Sequence, residues 1–282
     1  AWYNLGIAHK RTDNYPKAEA AYRKALELNP GYQKAAINLA ALFRDQGQLD
    51  EANTAFAKAA KISSADTRAR ALFQQGEVLF LLKRYSESAQ VLRRSTEYNP
   101  REAIVWQALG KSLLHLPNEQ QAALASFNNA AALAPGDIDI RLDIAQYLSS
   151  YEHHREALKH LQHALQINPA SSQVRKKLAA VFLKQGDLES AQIQYKWLAN
   201  DSSNKAQQAR YQAELALLRD DLETAIAQLQ TAVKKSNGND LESWQRLAHV
   251  YSKSGQVTQA LTEYESLLTT HPNDAASLVG AA

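Results

Sequence analysis

The chain has 282 residues, 45% hydrophobic and 22% charged, with a formal net charge of +3. It can therefore bury a core, and it lacks the clustered Lys and Arg of an electrostatic nucleic-acid footprint. It contains no Cys, which excludes disulfides and thiolate metal sites, and no apolar run approaches the ~18 residues that a membrane span requires.

Read in chain order, the sequence repeats. A small residue recurs at Gly6, Ala40, Gly76, Gly110, Ala145, Ala179, Ala213 and Ala248, in steps of 34 to 36 residues. A second small column runs Ala18, Ala52, Ser88, Ala123, Ala157, Ala191, Ala225 and Ala260. Four residues after each stands a bulky one: Tyr22, Phe56, Leu92, Phe127, Leu161, Tyr195, Leu229 and Tyr264. Pro30, Pro100, Pro135, Pro169 and Pro272 close five of the units. Within a unit, two apolar-periodic segments of roughly a dozen residues predict two helices. In the first unit Asp13-Asn14 ends the first helix, Pro16 opens the second and Asn29-Pro30 ends it. Gly47, Gly186 and Gly255 mark the inner turn of three others. Such a unit cannot bury its own apolar face, so neighbours must stack. The predicted fold is an all-α solenoid of antiparallel helix pairs. It forms one array over 1–282, with repeats at about 1–32, 33–66, 69–102, 103–137, 138–171, 172–205, 206–239 and 241–274 and a partial one at 275–282.

Trp2-Leu5-Gly6, Trp106-Leu109-Gly110 and Trp244-Leu247-Ala248-Tyr251, followed by Ala18-Tyr22-Ala25-Pro30 and Ala123-Phe127-Ala130-Pro135, resemble the tetratricopeptide repeat. The resemblance implies a right-handed superhelix whose first helices line a concave groove. It also implies that the chain is no enzyme itself but a scaffold binding a segment of another protein; the charge pattern and the lack of a long apolar run lead us to expect no nucleic-acid partner and no membrane insertion. The chain opens inside the pattern and has no Met, so it is expected to be an excerpt of a longer array. Exposed columns at its ends are expected to favour self-association.

No P-loop, GxGxxG, GxSxG or HExxH motif is present, and no cofactor is expected. His153, Glu156, His160 and His163 share one helical face. Such a face can hold zinc or nickel, but the core columns Ala157, Leu161 and Ala164 predict that it is a solvated outer face without metal. Trp2, Trp106 and Trp244 share a column and are expected to pack; Trp197, off that column, is expected to be partly exposed.

The candidate groove residues come from the columns before and after the first small column: Tyr3, Asn4, Asn38, Arg70, Gln74, Lys111, Asp143, Gln146, Lys177, Arg210 and Arg246. Asn4 and Asn38, with Gln74, resemble the start of the amide ladder in the repeats of O-GlcNAc transferases; an amide can donate to a peptide carbonyl and accept from an N–H. A carboxylate clamp is incomplete, because Tyr3 and Ile7 stand at its first two places although Asn38 and Arg70 fit the later ones. Lys176, Lys177, Arg210 and Arg246 suggest a cationic stretch suited to an acidic segment. Two alternatives remain open: the substrate-recruiting part of a larger glycosyltransferase or sulfotransferase, and a bacterial periplasmic scaffold for polysaccharide export. The compartment is therefore left between cytoplasm and periplasm.

Overall fold

The computed structural model describes residues 1–270 apart from 63 and 238; the predicted partial repeat at 275–282 and Pro272 lie outside them. All the regular secondary structure among the described residues is helical, and they divide into two compact units, one of Ala1–Tyr147 and one from Leu148 onward. The first holds α1 (Trp2–Arg11), α2 (Tyr15–Leu28), α3 (Gln33–Asp45), α4 (Leu49–Ile62), α5 (Ala65–Leu81), α6 (Tyr85–Tyr98), α7 (Ala103–Leu114), α8 (Gln120–Leu133) and α9 (Ile138–Ser150) as far as Tyr147. The second holds α10 (His154–Ile167), α11 (Ser172–Lys184), α12 (Leu188–Asp201), α13 (Lys205–Leu217), α14 (Leu222–Lys235), α15 (Leu241–Lys253) and α16 (Val257–Thr270). α5 begins four residues before the repeat boundary read from the sequence, in the one step of 36 residues.

The turn inside each pair shows why the repeat has a fixed phase. One residue per turn is left-handed: Asp13, Gly47, Lys83, Asn118, Glu152, Gly186, Asp220 and Gly255, with φ between 54° and 77°. Glycine takes this conformation without steric cost, whereas Lys83 and Glu152 are held there by the helices on either side. The residue after the turn often caps the next helix. Asn14 accepts from the Lys17 N–H, and Asp187 and Asp221 accept from the N–H groups of Ser190 and Thr224 at 3.0 Å.

The small and bulky columns form the core. Ala18, Ala52, Ser88 and Ala123 are fully buried, as are Tyr22, Phe56, Leu92 and Phe127 opposite the first small column. A Cβ on Gly6, Gly76 or Gly110 would lie 2.5–2.6 Å from Tyr22, Leu92 or Phe127 respectively, so at these three positions the opposing side chain leaves no room for one. Where serine replaces alanine its hydroxyl is satisfied: Ser88 donates to the Gly76 carbonyl at 2.7 Å and lies 2.9 Å from the Ser112 hydroxyl, and Ser95 donates to the Ala69 carbonyl. Among the described residues, no helix is long and apolar enough to cross a membrane.

Candidate functional site

In the first unit α3 meets α5 and α5 meets α7, so these helices form a row. A cavity of about 360 Å³ opens on that row. α5 contributes Glu77, Phe80 and Leu81, α7 contributes Ile104, Gln107, Ala108 and Lys111, and α9 contributes Asp143 and Tyr147. Leu81 is 58% exposed and Ile104 50%, large apolar side chains left facing water. The Lys111 ammonium stands 3.4 Å from Asp143 Oδ2 and 4.6 Å from the centre of the Tyr147 ring, an ion pair combined with a cation–π contact. Buried Gln107 donates from its amide to the same Asp143 oxygen. Glu77 is half-buried and forms neither an ion pair nor a hydrogen bond among the described residues. Burial pushes its carboxyl up from the usual range, against the pull of Arg44 and Lys111.

The remaining predicted residues of this unit lie along the same row. Asn4 is exposed; Asn38 donates to the Tyr3 hydroxyl at 3.3 Å, and the Tyr3 ring packs against Tyr22 and Tyr32. Gln74 has a buried side-chain oxygen without a partner. Arg70, on the first turns of α5, is exposed, as is Gln146 on α9.

The second unit carries its own cavity of about 460 Å³, lined by α13 and α15 with Leu183, Tyr195 and Tyr264. Here the charges are already matched. Arg246 grips Glu214 with two hydrogen bonds of 2.9 and 3.1 Å. Arg210 donates to Glu242 at 2.5 Å and to Asp240 at 3.4 Å. This corrects the expectation of a cationic stretch: Arg210 is buried and Arg246 neutralised, because α13 and α15 bring acidic residues against them. Lys176 spends its charge over the Tyr211 ring at 5.6 Å, and Lys177 beside it is half-buried. Tyr195 is the partly exposed member of a bulky column that is otherwise buried. Burial and Glu214 push its hydroxyl up to about 12.

Two further expectations meet the structure differently. His160 does not point away from the core but is 7% exposed. The second helices bury the column three residues after the small one, as Ala21, Ser126 and Gln194 also show. His163 is exposed, and no group of three or more metal-ligating residues is assembled among the described residues. The Trp106 and Trp244 indoles donate to the Pro100 carbonyl and to Glu263, whereas Trp2 in the same column is 43% exposed on α1. Trp197 lies under the Arg175 guanidinium at 4.1 Å.

Models of the tetratricopeptide repeat match residues 1–32, 21–52, 68–138, 118–198 and 241–274, which is most of the chain. The chain belongs to the tetratricopeptide-repeat family. It is 28% identical over 150 residues to the type IV pilus assembly protein PilF of Pseudomonas aeruginosa, covering 52% of this chain. It spans 58% of PilF and 22% of the Caulobacter vibrioides protein FlbA, which it matches at 28% identity over 140 residues. Among solved structures, Pseudomonas aeruginosa PilF superposes with a TM-score of 0.52 at 23% identity, covering 76% of this chain and 96% of that one. Yeast Tom70 superposes with a TM-score of 0.56 at 13% identity, covering 99% and 80%. Both share the α-solenoid fold of this tetratricopeptide array.

Phe80, Leu81, Ile104 and Tyr147 lie outside the columns that the sequence singles out, whereas Glu77 stands in the same column as Lys111 and Gln146 without having been selected. Those columns stop short of the outer turns of the first helices. The signal was present: where the first two units carry Lys10-Arg11 and Arg44-Asp45, the third carries Phe80-Leu81. Phe80 packs against the Tyr85 and His115 rings, but Leu81 beside it is left 58% exposed, and an exposed large apolar side chain in a cavity points to a ligand.

Proposed function

We propose that this tetratricopeptide array is a protein-interaction scaffold and that the row of first helices in the unit of Ala1–Tyr147 binds a peptide segment of a partner. One observation carries this reading: Leu81 and Ile104 line the same cavity from consecutive first helices while remaining half exposed. A segment laid along the row removes that surface from water, worth roughly 25 cal/mol per Å² of apolar area. Asn4, Asn38 and Gln74 supply amides for its backbone on the neighbouring helices, and Arg70, Asp143 and Gln146 stand at the edges for its side chains. In the second unit, taken by itself, Arg210 and Arg246 are already paired with Glu242 and Glu214, so its own surface does not favour an acidic segment. The array acts by holding partners and requires no cofactor.

The test is selection of phage-displayed random dodecapeptides on the purified protein. Enriched peptides should bind the parent and lose affinity for the Leu81→Ser/Ile104→Ser variant, with far-UV circular dichroism and Tm unchanged. Peptides that bind both proteins equally would remove the function from this row.

A further inference from the structure

Glu77 is an anomaly within its own cavity. Carboxylates taken out of water normally have a partner, because an unpaired one bears a desolvation penalty with nothing to offset it. The two cations nearest in charge are engaged elsewhere: Arg44 donates to Asp45 at 3.0 and 3.2 Å, and Lys111 is held by Asp143 and the Tyr147 ring. Arg70 does not line the cavity and stands two helical turns away on α5, about 10 Å along the axis. Glu77, Asp143 and Lys111 leave the lining with one negative charge in excess. In the same cavity lie the two large apolar side chains, Leu81 and Ile104, each left half exposed.

A side chain that satisfies both features has an apolar stem and a cationic head. Arginine fits best: its methylenes can lie over Leu81 and Ile104 while the guanidinium donates two hydrogen bonds to one carboxylate. Lysine supplies the same charge as a point and gains less.

We propose that the cavity on α5, α7 and α9 selects partner segments carrying a basic residue, arginine in preference to lysine, next to a large apolar residue, with Glu77 as the receiving anion. This rests on the reading of the row as a peptide-binding surface and adds the chemistry of the occupant. It also assigns Glu77 a reason to be there despite its desolvation: stability is given up where binding gains.

The experiment uses the peptide pool selected on the intact protein, then fluorescein-labelled synthetic copies of its members. The pool should be enriched in Arg or Lys within two positions of Leu, Ile, Phe or Trp. Replacing that basic residue by norleucine should weaken binding about tenfold, a typical yield for a charge-assisted pair, and Glu77→Gln should do the same. Glu77→Gln should at the same time raise Tm at neutral pH, since it removes a charge that burial disfavours; Glu77→Asp should retain the preference for a basic peptide. A purely structural Glu77 would leave affinity unchanged. Peptides that depend on Leu81 and Ile104 but are neutral or acidic, or that bind the Glu77→Gln protein equally well, overturn the proposal and leave the groove standing. Peptides indifferent to Leu81, Ile104 and Glu77 alike, or no selection at all, overturn both.

Discussion

The close contact of Gly110 with Phe127 makes a sharp test of the packing account through Gly110→Ala. A Cβ built on Gly110 falls 2.6 Å from Phe127 Cε1 and 2.7 Å from Cδ1, and the Phe127 ring is fully buried. Carbon atoms in contact prefer about 3.5–4.0 Å, so the ring or the helix must give by roughly 1 Å. Overpacking of this kind costs about 1–3 kcal/mol. Against it stands the helix propensity gained by exchanging glycine for alanine, about 1 kcal/mol. The variant should therefore lose up to about 2 kcal/mol, read as a lower midpoint in urea unfolding followed by circular dichroism. The coupling is more telling than the loss. On a Phe127→Leu background, which shortens the opposing side chain, the cost of Gly110→Ala should fall by at least about 1 kcal/mol. Ala40 occupies this column in the second pair, fully buried in one cluster with Phe56, so the column accepts alanine there. If Gly110→Ala were neutral in both backgrounds, close approach would not be what requires glycine here.

Other consequences are equally direct. Gly47→Ala places a Cβ at φ of 75° in open space, so it should cost about 1 kcal/mol from backbone strain alone, measurable in the same assay. Arg246→Ala leaves Glu214, 16% exposed, without its bidentate partner; allowing for the partial exposure of the pair, the loss should be about 1–2 kcal/mol, largely recovered by adding Glu214→Gln. Tyr195 titrates near 12 in the folded chain against 10 in the unfolded one. The folded state therefore keeps this proton when the unfolded state has released it. Stability is complete below pH 10 and declines by on the order of 2 kcal/mol as pH rises towards 12. Tyr195→Phe should flatten that decline in urea titrations between pH 9 and 11.5; an unaltered slope would place the alkaline loss on other groups.

Much of the architecture is legible in the sequence because each repeat states it again. A column such as Ala18, Ala52, Ala123 and Ala157 has one physical explanation, a helix contact that admits nothing larger, and repetition separates it from chance. The inner turn is less legible, since only three of its eight left-handed residues are glycine; at Lys83 and Glu152 the flanking helices override local preference. The site is harder still. Arg210 and Arg246 read as free cations along the chain, yet the residues that neutralise them lie about 30 positions away on the neighbouring first helix. Charge along a solenoid is balanced between repeats, so counting cations on one helix overstates what the surface offers. His160 misleads for a related reason: a polar residue in a buried column looks solvent-facing until the column is followed through all the units.

The central claim is that the row of first helices in the unit of Ala1–Tyr147 receives the partner. Its most direct test is an amide ¹H–¹⁵N NMR titration of the protein with a peptide from the selection. The account predicts that shift changes gather on α5, α7 and the start of α9, led by Leu81, Ile104 and Lys111. The second helices offer a rival apolar surface, with Leu28 66% and Leu133 40% exposed. Changes centred there, with Leu81 and Ile104 unmoved, would contradict it.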